Sequence, residues 1–96
     1  MKTIVLKFGG TSVGTIDRIK KVCKIIAFYK KKKNKVVVVS SAMSGVTNEL
    51  VNKSKLISSN FDRAEYDALV STGEQVSCAL IAGRLKHNGF KSRSWT

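Results

Sequence analysis

The chain has 96 residues, enough for one small domain whose core forms only if its elements pack closely on one another. With 43% hydrophobic and 25% charged residues it has the make-up of a soluble globular protein, which excludes a disordered or collagen-like chain. A formal charge of +12 raises nucleic acid or anionic lipid as partners, and the placement of the charges has to decide between that and a solvated surface.

In chain order, residues 3–8 (TIVLKF) are β-rich and stop at Gly9-Gly10, which predicts a first strand. From Ser12 onward Ile16, Ile19, Val22, Cys23 and Ile26 recur at three- and four-residue steps, the pattern of an amphipathic helix. Five lysines, Lys30 to Lys33 and Lys35, crowd the end of that helix. Lysine there complements the helix dipole, and no aromatic residue is interleaved as a stacking surface for single strands would need. Residues 35–40 hold four consecutive valines, which predicts a parallel strand covered on both faces. A short helix over 44–56, a break at Ser58-Ser59-Asn60, and a second helical stretch from Phe61 to about Leu85 follow, with Asn88-Gly89 as a helix stop. Residues 90–96 are expected to form a third strand.

Strand, helix, strand, helices, strand is the order of an α/β fold with a parallel sheet between helices. A parallel sheet of three strands leaves both edges open, so the natural protein is expected to continue beyond this segment. The apolar runs are too short to cross a bilayer, and no targeting peptide is visible at Met1-Lys2-Thr3. Cys23 and Cys78 are isolated and lack any CxxC spacing, which fits small buried thiols in a reducing, cytoplasmic setting.

In a parallel sheet the loops after the first strand (9–12) and the second (40–45) open at the same edge, where α/β proteins bind ligands. The first loop is expected to run into a helix N-terminus, whose free N–H groups favour phosphate, although a plain strand-to-helix turn would look the same. It is neither a P-loop nor a GxGxxG fingerprint. Lys7 ends an apolar strand; buried on both sides it would need an anion, and otherwise it snorkels to solvent. Ser71-Thr72-Gly73-Glu74 interrupts a helical pattern and matches a capping box; a helix restarting near Gly73 would instead carry Glu74 to the ligand edge. Ser41, Ser44 and Thr47 offer hydroxyls beside Gly45, as ligands or as helix caps. Asp62, Glu65 and Asp67 suit a helix start and form no convincing metal cluster, and His87 is given no role.

Residues 7–13 (KFGGTSV), 39–48 (VSSAMSGVTN) and 71–74 (STGE), taken with Ser92-Arg93-Ser94-Trp95, resemble the start of aspartate kinases in the amino-acid kinase superfamily, over the whole chain. The resemblance implies a three-layer αβα fold with a mainly parallel sheet, of which residues 1–96 would be the N-terminal part of the catalytic domain. It implies that Lys7, Gly9 and Gly10 contact the phosphates of ATP, with Lys7 catalytic, that Phe8 and Ser41 belong to the same nucleotide site, and that Thr47 and Glu74 bind aspartate. The implied reaction is transfer of the γ-phosphoryl of MgATP to the side-chain carboxylate of L-aspartate, opening the route to lysine, threonine and methionine. The expected partners are L-aspartate and MgATP, without nucleic acid or membrane, in a homo-oligomeric parent enzyme. Relatives continue with a glycine-rich Ser-Asp segment that completes the site and with regulatory domains, so the 96-residue chain by itself is expected not to turn over. The alternatives are a sibling kinase acting on glutamate, acetylglutamate or a nucleotide monophosphate, and a small basic nucleic-acid-binding module.

Overall fold

The computed structural model describes residues 1–95 and contains two strands and three helices. Strands β1 (Thr3–Phe8) and β2 (Lys35–Ser40) pair in parallel, from Thr3 opposite Lys35 to Phe8 opposite Ser40. Helix α1 (Ile16–Lys31) makes the crossover between them, and α2 (Val46–Ile57) and α3 (Arg63–His87) follow.

Local chemistry sets the helix ends. The Thr15 hydroxyl accepts the Arg18 N–H at 3.2 Å and so caps α1. At the other end Lys30 and Lys31 lie in the last turn, and the chain leaves through Lys33 in the left-handed region at φ 62°. Asn34 Nδ2 donates to the Tyr29 carbonyl at 2.8 Å there, and the Lys32 ammonium sits 4.3 Å above the Phe28 ring. The lysine run is thus a helix terminus, as its position in the sequence indicates. Asp62 caps α3 by accepting the Glu65 N–H at 3.0 Å, which accounts for one of the three crowded acids. The Asn88-Gly89 stop forms as expected: Gly89 at φ 90° donates to Lys86 O and Phe90 N–H donates to Leu85 O, both at 3.0 Å. These paired bonds, with Phe90 packed on the core that contains Leu85, are a Schellman motif.

The core lies between one face of the sheet and the helices. Ile19, Val22, Cys23 and Ile26 of α1 meet Ile81 and Leu85 of α3, with Leu6, Phe8, Val36 and Val38 packed beneath. The Cys23 thiol is 1% exposed and donates to the Ile81 carbonyl at 3.7 Å, while Cys78 is only partly buried. Burial pushes the Cys23 thiol up from its ordinary 9.0, an effect that Arg84 partly offsets.

Four expectations are corrected. The valine run is covered on one face only: Val37 and Val39 are about half exposed, as is Val5 beside them, because both helices that touch the strands lie on the opposite face. Residues 90–95 form no strand; the Ser92 hydroxyl is tied to the Ala82 carbonyl at 2.7 Å, so the segment follows α3 instead of pairing with β2. Thr96 lies outside the described residues. Residues 71–74 do not interrupt α3, which runs unbroken through them; Ser71 and Thr72 donate to the carbonyls of Ala68 and Leu69 in their own helix, the back-bonding that lets such residues sit mid-helix. Helix α1 begins at Ile16, later than Ser12, so the loop after β1 has a structure of its own.

Candidate functional site

The two loops at the C-terminal edge of the sheet touch. Beyond β2 the Ser41 N–H donates to the Phe8 carbonyl at 3.0 Å, carrying the ladder one step past the last strand pair. A β-carbon at Gly10 would stand 3.1 Å from the Ala42 carbonyl oxygen, and one at Gly14 would stand 3.3 Å from Ser44 Cβ. A side chain at either position would make the facing loop give way by a few tenths of an ångström.

The first loop is anchored by Val13, which is fully buried, and by Val13 N–H to Gly9 O and Gly14 N–H to Thr11 O at 3.3 and 3.2 Å. No acceptor is found for the N–H groups of Gly10, Thr11 and Ser12 among the described residues. Successive unpaired amides in a turn are a geometry that can accept an anion, and here they lie in the loop, before α1 begins at Ile16. Arg18 donates to the Thr11 carbonyl at 3.0 Å, and with Lys21, Phe8 and Ser12 it lines a shallow cleft of about 260 Å³ beside the loop. Two cations thus flank the turn.

Lys7 lies one residue before the strand ends, in register with Val39, and it is exposed. The expectation of an ammonium buried on both sides is overturned, for the same reason that Val37 and Val39 are exposed: this face of the sheet carries no helix. What survives is placement, since Lys7 stands at the edge where both loops open.

The second loop ends at Gly45, which occupies the cap position of α2 at φ 84° and makes no side-chain cap bond. Ser41, Ser44 and Thr47 therefore do not cap α2, and all three are exposed. Thr47 is the second residue of α2, in the turn where free N–H groups and the positive dipole end gather.

Helix α3 closes the site from the other side through Gly73. A β-carbon there would meet Ala42 Cβ at 3.0 Å and Val46 Cγ1 at 3.1 Å. Glu74 follows directly and is exposed, and Thr47 follows Val46, so each stands one residue from this contact between α2 and α3. The capping-box reading of Glu74 falls with the unbroken helix. One turn further on, Ser77 is fully buried and its hydroxyl donates to the Ser41 carbonyl at 2.6 Å.

The structure thus brings Phe8, Gly9, Gly10, Ser41, Thr47 and Glu74 to one edge, with Lys7 on the open face beside it. Sequence reasoning missed Arg18 and Ser77. The signal for Ser77 was present, because Gly73, Ser77, Ile81 and Leu85 recur every four residues and form the buried stripe of α3. A cavity of about 340 Å³ lies elsewhere, among α1, β2, α3 and residues 90–95, with Val36, Val38, Ile81 and Phe90 in its wall. It is the space beside the unpaired edge of β2, and it reaches the second loop only at Ser40.

The chain is 52% identical over its full length to an aspartokinase of Geobacillus stearothermophilus and covers 24% of that protein. It is 49% identical to an aspartokinase of Rickettsia conorii across 99% of the chain and 24% of the relative. The chain therefore spans about a quarter of the length of these curated relatives. A crystal structure of aspartate kinase from Synechocystis superposes on 90% of the chain with a TM-score of 0.87 at 49% identity, using 15% of that protein, which supports the α/β architecture with a parallel sheet. Residues 2–96 match the profile of the amino acid kinase family, and the chain belongs to that family.

Proposed function

We propose that residues 1–96 are the N-terminal part of the catalytic domain of an aspartate kinase, which transfers the γ-phosphoryl of ATP to the side-chain carboxylate of L-aspartate and so starts the route to lysine, threonine and methionine. The observation that carries the reading is the three-way contact at one edge of the sheet: Gly10 against Ala42, and Gly73 of α3 against Ala42 and Val46. It gathers a turn rich in free amides, a row of uncommitted hydroxyls and the start of α2, and one carboxylate, the set needed to hold a polyphosphate beside an amino acid.

In this reading the amides around Gly9 and Gly10 and the Lys7 ammonium hold the phosphates of ATP, and Ser41 and Phe8 border the nucleotide. Lys7 is catalytic because its charge balances the phosphoryl group as it passes between oxygens. Thr47 and the α2 N-terminus suit a carboxylate of aspartate, and Glu74 suits its ammonium. An oxygen of the aspartate side chain forms the new bond to the γ-phosphorus while the bond from that phosphorus to the bridging oxygen of ADP breaks. The nucleophile is already a carboxylate, so no general base is required, and catalysis reduces to positioning and charge neutralisation. These loops offer amides and hydroxyls and no convergent carboxylates, so Mg²⁺ is expected to arrive on the phosphates of its nucleotide. Among the described residues no helix is long and apolar enough to cross a membrane, and a cytoplasmic, homo-oligomeric parent enzyme is part of this proposal.

The test is hydroxamate trapping of acyl phosphate with MgATP and aspartate, in full-length enzyme carrying this segment. Lys7→Ala should abolish product at unchanged fold, and Glu74→Ala should raise the aspartate KM at least tenfold. Equal turnover of glutamate would move the chain to a sibling kinase. The 96-residue chain alone should give no product above background.

A further inference from the structure

Ser77 has no place in the site as the sequence reveals it, yet among the described residues it is the most completely buried polar side chain, and its hydroxyl links α3 to the loop after β2. A serine inside a helix ordinarily bonds back to a carbonyl three or four positions earlier. Here those acceptors, Glu74 O and Gly73 O, stand at 3.2 and 3.4 Å, and the shortest contact, 2.6 Å, crosses to the Ser41 carbonyl in the loop after β2. The same carbonyl accepts the Ser40 hydroxyl at 3.1 Å. Both of its lone pairs are engaged, one by a side chain that cannot move because α3 packs against Ala42 on the same side.

Fixing that carbonyl fixes a plane. In a trans peptide the N–H points opposite to the preceding C=O, so a Ser41 carbonyl drawn toward α3 turns the Ala42 N–H away from α3. No acceptor is found for that N–H among the described residues. Ala42 is also the residue whose carbonyl meets Gly10, next to the free amides of the first loop.

We infer that Ser77 is a positioning residue for phosphoryl transfer, holding the Ser41-Ala42 peptide so that the Ala42 N–H adds to the cluster of amides facing the transferred phosphoryl group. This rests on the kinase reading above. A preorganised N–H aimed at developing charge acts on the transition state more than on ground-state binding. Removing the Ser77 hydroxyl therefore lowers kcat and leaves both KM values nearly unchanged.

The experiment compares Ser77→Ala with Ile81→Val, a core change one turn further along α3, in full-length enzyme carrying this segment. Ser77→Ala is expected to lower kcat about tenfold with the KM for ATP and for aspartate within threefold, while Ile81→Val lowers the melting temperature without that kcat loss. In the 96-residue chain the amide nitrogen resonance of Ala42 should shift strongly in Ser77→Ala and little in Ile81→Val. If Ser77→Ala does not fold, Ser77→Cys, which keeps the volume but donates weakly, is read the same way. Unchanged kcat, or equal losses in the two variants, would reduce Ser77 to a core hydrogen bond and overturn the inference. A wild-type enzyme that phosphorylates another acceptor would refute the aspartate reading alone, because the kcat comparison and the Ala42 resonance remain readable.

Discussion

Gly73 and Gly83 lie in the same helix, and the same substitution at each should have opposite consequences. Glycine in a helix interior costs about 1 kcal/mol relative to alanine. At Gly83 a β-carbon would meet nothing within 4 Å, so Gly83→Ala should recover most of that cost and raise stability by about 0.5–1 kcal/mol. At Gly73 the new methyl would press on Ala42 Cβ at 3.0 Å, an atom fixed to its own backbone, and on Val46 Cγ1 at 3.1 Å, which can rotate away. Overpacking of this kind costs about 1–3 kcal/mol, which outweighs the gain in helix propensity. Urea unfolding of the two variants decides it, and Gly73→Ala proving as stabilising as Gly83→Ala would mean that Ala42 and Val46 yield to the new methyl at little cost. The contact also explains Gly73 itself: it sits where two elements of the site must close on each other, so its cause is tertiary and does not show in a local helix-breaking pattern.

Among the elements, α1 and β1 were legible because their signals are local. Of the five residues at three- and four-residue steps, Ile19, Val22, Cys23 and Ile26 are buried, while Ile16, the first residue of α1, is about half exposed. The end of α3 was equally legible, since Gly89 supplies the positive φ that the Schellman turn needs. What the sequence hid depends on partners. Four valines in a row do not reveal whether one face or two will be covered, and Lys7 inherits the same ambiguity. Serine and threonine at 71–72 resemble a helix start until their hydroxyls are seen bonded back into the helix they lie within. The turn after α1 carries its own prediction. Lys33 adopts φ 62°, a conformation costing a non-glycine residue about 1–2 kcal/mol, and glycine returns part of that gain through the unfolded chain. Lys33→Gly should therefore stabilise the 96-residue chain by about 0.5–1 kcal/mol in urea unfolding. A loss of stability would show that the lysine side chain contributes more there than its backbone costs.

Taken whole, the molecule is drawn out: its radius of gyration is 15.3 Å, where a compact domain of this length has about 12–13 Å, and its extents are 49 × 25 × 18 Å. Much of that length is α3, which at 25 residues outreaches the six-residue strands it crosses. The cost is apolar surface left in water, with Val5, Val37 and Val39 about half exposed on the open face of the sheet and Leu56 and Ile57 mostly exposed at the end of α2. The charges add to the strain on this shape. Lys30 and Lys35 share one cavity wall with Lys91 and Arg93, so the C-terminal end of α1, the start of β2 and the segment after α3 bring like charges together in a chain already at +12. Raising NaCl from 10 mM to 1 M shortens the screening length from about 30 to about 3 Å, which removes repulsion between such groups but hardly touches the contacts of the core. The urea midpoint of the 96-residue chain should therefore rise steadily with NaCl, and the double variant Lys35→Gln, Lys91→Gln should start from a higher midpoint and respond less. A midpoint that stayed flat or fell with salt would mean that attractive pairs outweigh the crowding of lysines at this end, leaving the open sheet face as the main limit on stability.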